Sequence, residues 1–473
     1  MEEKSLNEVL CVKNCGKSEK KEEVDYTPMK IKVLKRRWLM LGLFIIYSGA
    51  SACQWIQYSI ITNIITRYYG VSSLAVDWTS MSFMAYYVIV IFPTTYLVDR
   101  LGLRWIAILG SGISCLGSWI KVLSVHPDKF YVGFIGQSLV AFTQALVLGT
   151  PGRLAAHWFS ARELSTATSL GIFGSQLGIS LMFLFAPMVV KNRENLDDIS
   201  VDLSFLFWVV AIITSVAFIL VVILFQDDPK LPPSETRAMQ RMNQMKEREG
   251  IIEPIKRLST NKSYLLLCNT YGLNIGVLNA VGTLLNQLFL IHFENGEEDA
   301  GRIGLAMILT GMLGSVSFGV ILDKTHKFKE TTVIVYFLSL CGQIFFALAL
   351  YYEMKYMVYL AATFLGFFMS SYLALGYEMC AEYTYPESEG IAAGILNVAN
   401  NVYGVIFVLV TGRLLAIYGD VPVHVVLCTA LLLGFILTAL TKDEQRRQDA
   451  RKAAQYEGIS QSIKDDLKNE SKN

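Results

Sequence analysis

QDDPKLPPSETRAMQRMNQMKEREG, residues 226–250, is the largest polar break in an otherwise apolar chain. On either side lie apolar stretches of about 20 residues, the length that spans ~30 Å of hydrocarbon. Six precede the break, at 38–66, 76–98, 103–123, 129–150, 164–190 and 203–225. Six follow it, at 263–292, 300–322, 331–352, 356–380, 390–415 and 421–441. With even counts, both tails and the central segment share one side of the membrane. The first tail ends in MKIKVLKRR (29–37) and the centre is rich in Lys and Arg, so the positive-inside rule places that side in the cytoplasm. The expected organisation is a tail 1–37, a six-helix half 38–225, a linker 226–262, a six-helix half 263–441 and a tail 442–473. The fold class is an all-α membrane protein of twelve transmembrane helices with cytoplasmic termini.

The composition agrees. Of 473 residues, 53% are hydrophobic and only 17% charged, against about a quarter in soluble domains; the mean hydropathy is +0.43. A net charge of +1 leaves no basic surplus for nucleic acid. Cys53, Cys115, Cys268, Cys341, Cys380 and Cys428 lie in apolar stretches and read as small hydrophobes. Cys11 and Cys15 read as reduced thiols of the first tail. No cleavable signal sequence is visible. No metal spacing, nucleophile–base pair or phosphate loop appears, so neither a cofactor nor an enzyme is expected.

The two halves repeat. YLVDRLGLRW (96–105) joins stretches 2 and 3, and GVILDKTHKFKE (319–330) joins stretches 8 and 9. HWFSARELSTATSLG (157–171) and EYTYPESEGIAAG (382–394) correspond in the same way. Parallel repeats of six spans resemble the major facilitator transporters. The D-R-x-G-x-R pattern at Asp99 to Arg104 resembles that superfamily's loop between spans 2 and 3. The resemblance implies that Asp99, Arg100, Arg104 and Asp323 are gating residues; charges snorkelling at helix ends are the alternative.

A rocking transporter binds its substrate between the halves at mid-depth. Polar and aromatic residues expected there are Gln54, Trp55, Gln57 and Tyr58 in span 1, Gln144 in span 4 and Gln176 in span 5. Span 7 adds Asn274, Asn279 and Asn286, and span 11 adds Asn397, Asn400 and Asn401. Trp55 precedes Asp99 by 44 positions, and Asn279 precedes Asp323 by the same 44. The two are therefore equivalent in the repeat and are expected to face each other across a cavity. The centres of spans 1, 4, 5, 7 and 11 carry no Asp, Glu, Lys, Arg or His. A cavity of amides and one indole suits a polar neutral solute, or a quaternary cation held on a ring face.

ACQWIQYSII (52–61), GSGISCLGSWIK (110–121), LLNQLFLIHFENGEEDAGRIGL (284–305), LGFFMSSYLALGYEMCAEYTYPESEG (365–390) and ILTALTKDEQRR (436–447) resemble the feline leukaemia virus subgroup C receptor family, over about Arg36 to Arg447. The resemblance implies a major facilitator fold and facilitated, uniport-like transport of choline and ethanolamine. It implies that Trp55 contacts the ammonium and that Gln144 is the family's span-4 glutamine. It puts Asn279 where the family has a tyrosine, and Asn401 where it has a glutamine. Another small polar amine is thus an alternative substrate. Family members were earlier described as haem exporters, which makes haem a second alternative. His126, His157, His292, His326 and His424 all fall at span ends or in loops, which disfavours an axial ligand in the cavity. A non-transporting scaffold would have no need of polar residues at mid-depth. A monomer in the plasma membrane, with a small-molecule substrate and the bilayer as its partners, is expected.

Overall fold

The structure, a computed structural model, describes residues 34–160, 163–227, 229, 252–325, 327–385, 387, 389–441 and 446–448. Cys11, Cys15, His326 and the side chains of Asp99 and Asp323 lie outside the described set. Among the described residues every regular element is helical, and twelve helices are long and apolar enough to cross a membrane. Spans 1 to 6 are Arg36–Tyr69, Ser73–Ile91, Arg100–Val122, Pro127–Leu148, Thr166–Val189 and Leu196–Leu224. Spans 7 to 12 are Lys262–Leu290, Glu297–Leu322, Phe328–Tyr351, Lys355–Thr384, Gly390–Tyr418 and Asp420–Leu440. Both described chain ends lie on one face of the bundle, here the terminal face; the other is the distal face.

The junction of spans 2 and 3 is not a loop. Ser73–Val122 is one helical run interrupted at Gly102 alone, with φ +79° and ψ 168°. Glycine takes that φ at no steric cost. A Cβ at Gly102 would also stand 2.5 Å from an Asp227 carboxylate oxygen. Asp227 Oδ1 accepts from the backbone N–H groups of Leu103 at 2.7 Å and Arg104 at 3.3 Å. A carboxylate thereby caps the fresh N-terminus of span 3. The Asp227 carbonyl accepts from Trp158 Nε1 at 3.2 Å. The first residues after span 6 are therefore fastened to the first half.

Span 1 is irregular at mid-depth. Helix Arg36–Ala52 gives way to two 3-10 turns, Cys53–Trp55 and Ser59–Ile61, before helix Thr62–Tyr69. Non-helical backbone survives at that depth only where it is buried in protein or lines a cavity. Gln54, Ile56, Gln57 and Ser59 are all fully buried. The Gln54 carbonyl accepts from Gln137 Nε2 at 2.7 Å, so the break keeps a backbone partner. Span 7, the repeat equivalent, is a single unbroken helix.

Candidate functional site

Trp55 closes the first 3-10 turn of span 1 and is half-buried. It packs against a cluster of Phe83 of span 2 and Val140 and Ala141 of span 4, which Tyr86 of span 2 also joins. It also reaches the other half: its Cη2 atom is 3.8 Å from the place a Cβ on Gly282 would take. Gly282 lies three residues, about one turn, from Asn279 on span 7. Trp55 thus approaches span 7 about one turn from Asn279.

Around this junction are amides. Asn279 Nδ2 donates to Asn400 Oδ1 of span 11 at 3.1 Å. Asn397 Nδ2 donates to the Tyr377 hydroxyl at 2.7 Å. Asn401 turns back onto its own helix, donating to the Asn397 carbonyl at 2.7 Å. Gln144 sits one turn from Ala141 on the same face of span 4. It is half-buried, and its Oε1 is buried with no hydrogen-bond partner. Gln176 is half-buried on span 5. Tyr58 departs from the expected group. It is 2% exposed, and its ring packs on Phe207 inside the first half. Its hydroxyl lies by span 4, 3.1 Å from the place a Cβ on Gly133 would take.

Phe83, Met84 and Tyr86 escaped the sequence reading. Phe83 belongs to the cluster the indole packs on, and Tyr86 joins that cluster at i+3, a spacing that was visible but is the same as ordinary core packing. Met84 faces span 11, because a side chain on Gly404 would meet its sulfur at 2.7 Å. Charge at depth also escaped, since spans 2 and 3 contribute it. Asp77 is 1% exposed and accepts from Gln287 Nε2 at 2.7 Å, and Lys121 is 1% exposed within span 3.

The distal face is closed by bonds that cross between the halves. Glu297, at the start of span 8, accepts from Asn63 Nδ2 at 2.7 Å and Asn192 Nδ2 at 3.1 Å. Lys191 pairs with Glu298. Deeper, Asn286 Oδ1 accepts from the Asn63 backbone N–H at 3.5 Å, and the hydroxyls of Ser80 and Thr283 meet at 3.1 Å. On the terminal face, among the described residues, ion pairs join groups of the same half. Arg37 meets Glu163 at 2.9 Å, Arg257 meets Glu387 at 2.6 Å, and Arg447 holds Glu378 at 2.9 Å and Glu382 at 3.0 Å. Burial works against the charge of Arg447, but its two carboxylates outweigh burial and raise its pKa further. Of the expected gating residues, Arg104 is tied to span 6, its Nη2 donating to the Val222 carbonyl at 3.3 Å, and Arg100 is exposed.

His292 and His424 stand apart from this junction. His292 Nε2 is 2.8 Å from Asp420 Oδ2, and His424 Nδ1 is 3.3 Å from Gln343 Nε2, both toward the distal end of the second half. Among the described residues no group of three or more His, Cys, Asp or Glu could hold a metal ion.

The Major Facilitator Superfamily description matches residues 43–402. A zebrafish (Danio rerio) protein named choline/ethanolamine transporter flvcr2b is 42% identical over 91% of this chain and 88% of its own. The human (Homo sapiens) choline/ethanolamine transporter FLVCR2 is 41% identical over 89% of this chain and 80% of its own. The cat (Felis catus) choline/ethanolamine transporter FLVCR1 is 41% identical over 88% of this chain and 74% of its own. Among solved structures, the E. coli fucose:proton symporter has a TM-score of 0.62 at 11% identity, covering 86% of this chain and 100% of that one. A bacterial homologue of the human lysosomal transporter Spinster, inward-facing and unoccupied, has a TM-score of 0.62 at 13% identity, covering 87% and 95%. Twelve membrane-length helices, a repeat that brings Trp55 against span 7, and these likenesses together make the chain a member of the major facilitator superfamily and, within it, of the feline leukaemia virus subgroup C receptor family.

Proposed function

We propose that this chain is a facilitated carrier of choline and ethanolamine, acting as a monomer in the plasma membrane with its terminal face in the cytoplasm. The observation that carries the reading is Trp55, an indole presented at the break of span 1 against span 7. Its ring face would hold the ammonium, a contact of ~2 kcal/mol once water is excluded. The unpartnered Gln144 Oε1, one turn nearer the terminal face, would accept the hydroxyl proton of either amine. With the distal bonds made, exchange would occur on the terminal side. Breaking the Glu297 and Asp77 contacts would open the other, while Asp99, Arg100, Arg104 and Asp323 act at the terminal end.

Asn279 bears on the choice between the two amines. An ethanolamine ammonium has three N–H donors and needs acceptors; a choline headgroup has none and needs ring faces. A wall of amides opposite one indole therefore suits ethanolamine better than a cage of two rings would. Nothing in the placement of His292 or His424 favours haem.

The test is uptake of radiolabelled choline, ethanolamine and haem by cells expressing the protein, against empty-vector cells. Both amines are expected above the vector and haem at its level. Haem uptake without amine uptake would overturn the proposal.

A further inference from the structure

We infer that Lys121 is a positioning residue for the Trp55 site: it holds the broken middle of span 1 in the shape that presents the indole. The inference rests on the proposed role of Trp55.

Lys121 lies in the last turn of span 3, and no carboxylate among the described residues pairs with it. Its Nζ donates to Gln57 Oε1 at 2.7 Å and to Gln137 Oε1 at 2.9 Å, and stands 5.8 Å from the centroid of the Tyr58 ring. The other end of the Gln137 amide donates to the Gln54 carbonyl at 2.7 Å and to the Thr79 carbonyl at 3.4 Å. Trp55 is therefore bracketed. The residue before it is held through its carbonyl by Gln137, and the residue two after it is held through its side chain by Lys121. Space for the lysine stem depends on Gly136, where a Cβ would come within 2.9 Å of Lys121 Cγ.

The chemistry makes the lysine the organiser of this set. The Lys121 amine donates to both glutamine oxygens and so draws each toward itself. That fixes the Gln137 amide with its NH₂ aimed at the Gln54 carbonyl. A neutral side chain of the same length would leave the amide free to turn over. The Gln54 carbonyl would then face an oxygen, and the irregular segment would lose the bond that holds it just before Trp55. Lys121 reaches the substrate site only through these amides and touches no substrate.

The test is a double-mutant cycle with Lys121→Met and Trp55→Leu, measuring surface-normalised choline uptake over a range wide enough to saturate each variant. In the wild-type background Lys121→Met is expected to raise KM about fivefold while leaving Vmax within about twofold. In the Trp55→Leu background it is expected to leave KM unchanged, because there is no indole left to present. An equal KM change in both backgrounds, or none in the wild type, would overturn the inference. If Lys121→Met does not reach the surface, Gln137→Met is read in the same two backgrounds by the same criteria. Trp55→Leu alone at the wild-type KM would instead sink the reading of the site, a separate and recognisable result.

Discussion

Spans 1 and 7 occupy equivalent places in the two halves, yet they solve mid-depth in opposite ways. Span 1 breaks its helix, and side chains of spans 3 and 4 brace the break: Gln137 bonds the Gln54 carbonyl and Lys121 holds the Gln57 side chain. Span 7 keeps its helix and spends its amides on other spans: Asn279 on span 11, Asn286 on span 1 and Gln287 on span 2. The break gives span 1 freedom to aim one large ring. The unbroken helix gives span 7 a ladder of contacts along the line where the halves meet. Internal repetition thus preserves position while separating the tasks of gripping a solute and closing the path.

Substitutions at the paired positions are expected to be unequal. Trp55→Leu should raise the choline KM by roughly thirtyfold, the equivalent of ~2 kcal/mol of lost cation–π contact. Asn279→Leu should do much less, because its amide bonds a neighbour. Equal effects in concentration-dependent uptake, with matched surface expression, would erase the contrast. Asn279→Tyr sharpens it by giving span 7 a ring of its own. The ratio of choline to ethanolamine KM should fall by about three- to tenfold, from one added exposed-to-desolvated cation–π contact. An unchanged ratio would mean that position 279 does not face the solute. Asp77→Asn is the smallest change. It preserves a hydrogen bond to Gln287, so uptake at a clamped membrane potential should move less than about twofold. It should also remain independent of sodium and of the pH gradient. Loss of a proton-gradient dependence on Asp77→Asn would make that carboxylate a coupling group and end the facilitator reading.

The fold was legible because each span is an unmistakable apolar run, and the register of the repeat was legible from Asp99 and Asp323. Much of the site was not. Gln54 and Gln57 resemble cavity residues in sequence, but their partners Ser118 and Lys121 stand 64 positions away, beyond any local pattern. A lysine near the end of an apolar run reads as a snorkelling charge, so the burial of Lys121 leaves no signal. Tyr58 looks like a companion to Trp55 until the 3-10 turns separate them, and irregular backbone has no periodicity to betray it. Gly102 was part of a visible pattern, but Asp227, which makes its turn worthwhile, belongs to the polar break on the far side of four spans.

That Asp227 anchor has a consequence for how the molecule tolerates division. The first half ends on a knot of its own, from Asp227 to Leu103, Arg104 and Trp158. The second begins on one too, where helix Ile252–Thr260 pairs Arg257 with Glu387. A cut made between those knots severs neither. Two separately synthesised polypeptides, co-expressed, would each arrive with its edges already tied, and would need only the contacts between halves to reconstitute a working carrier.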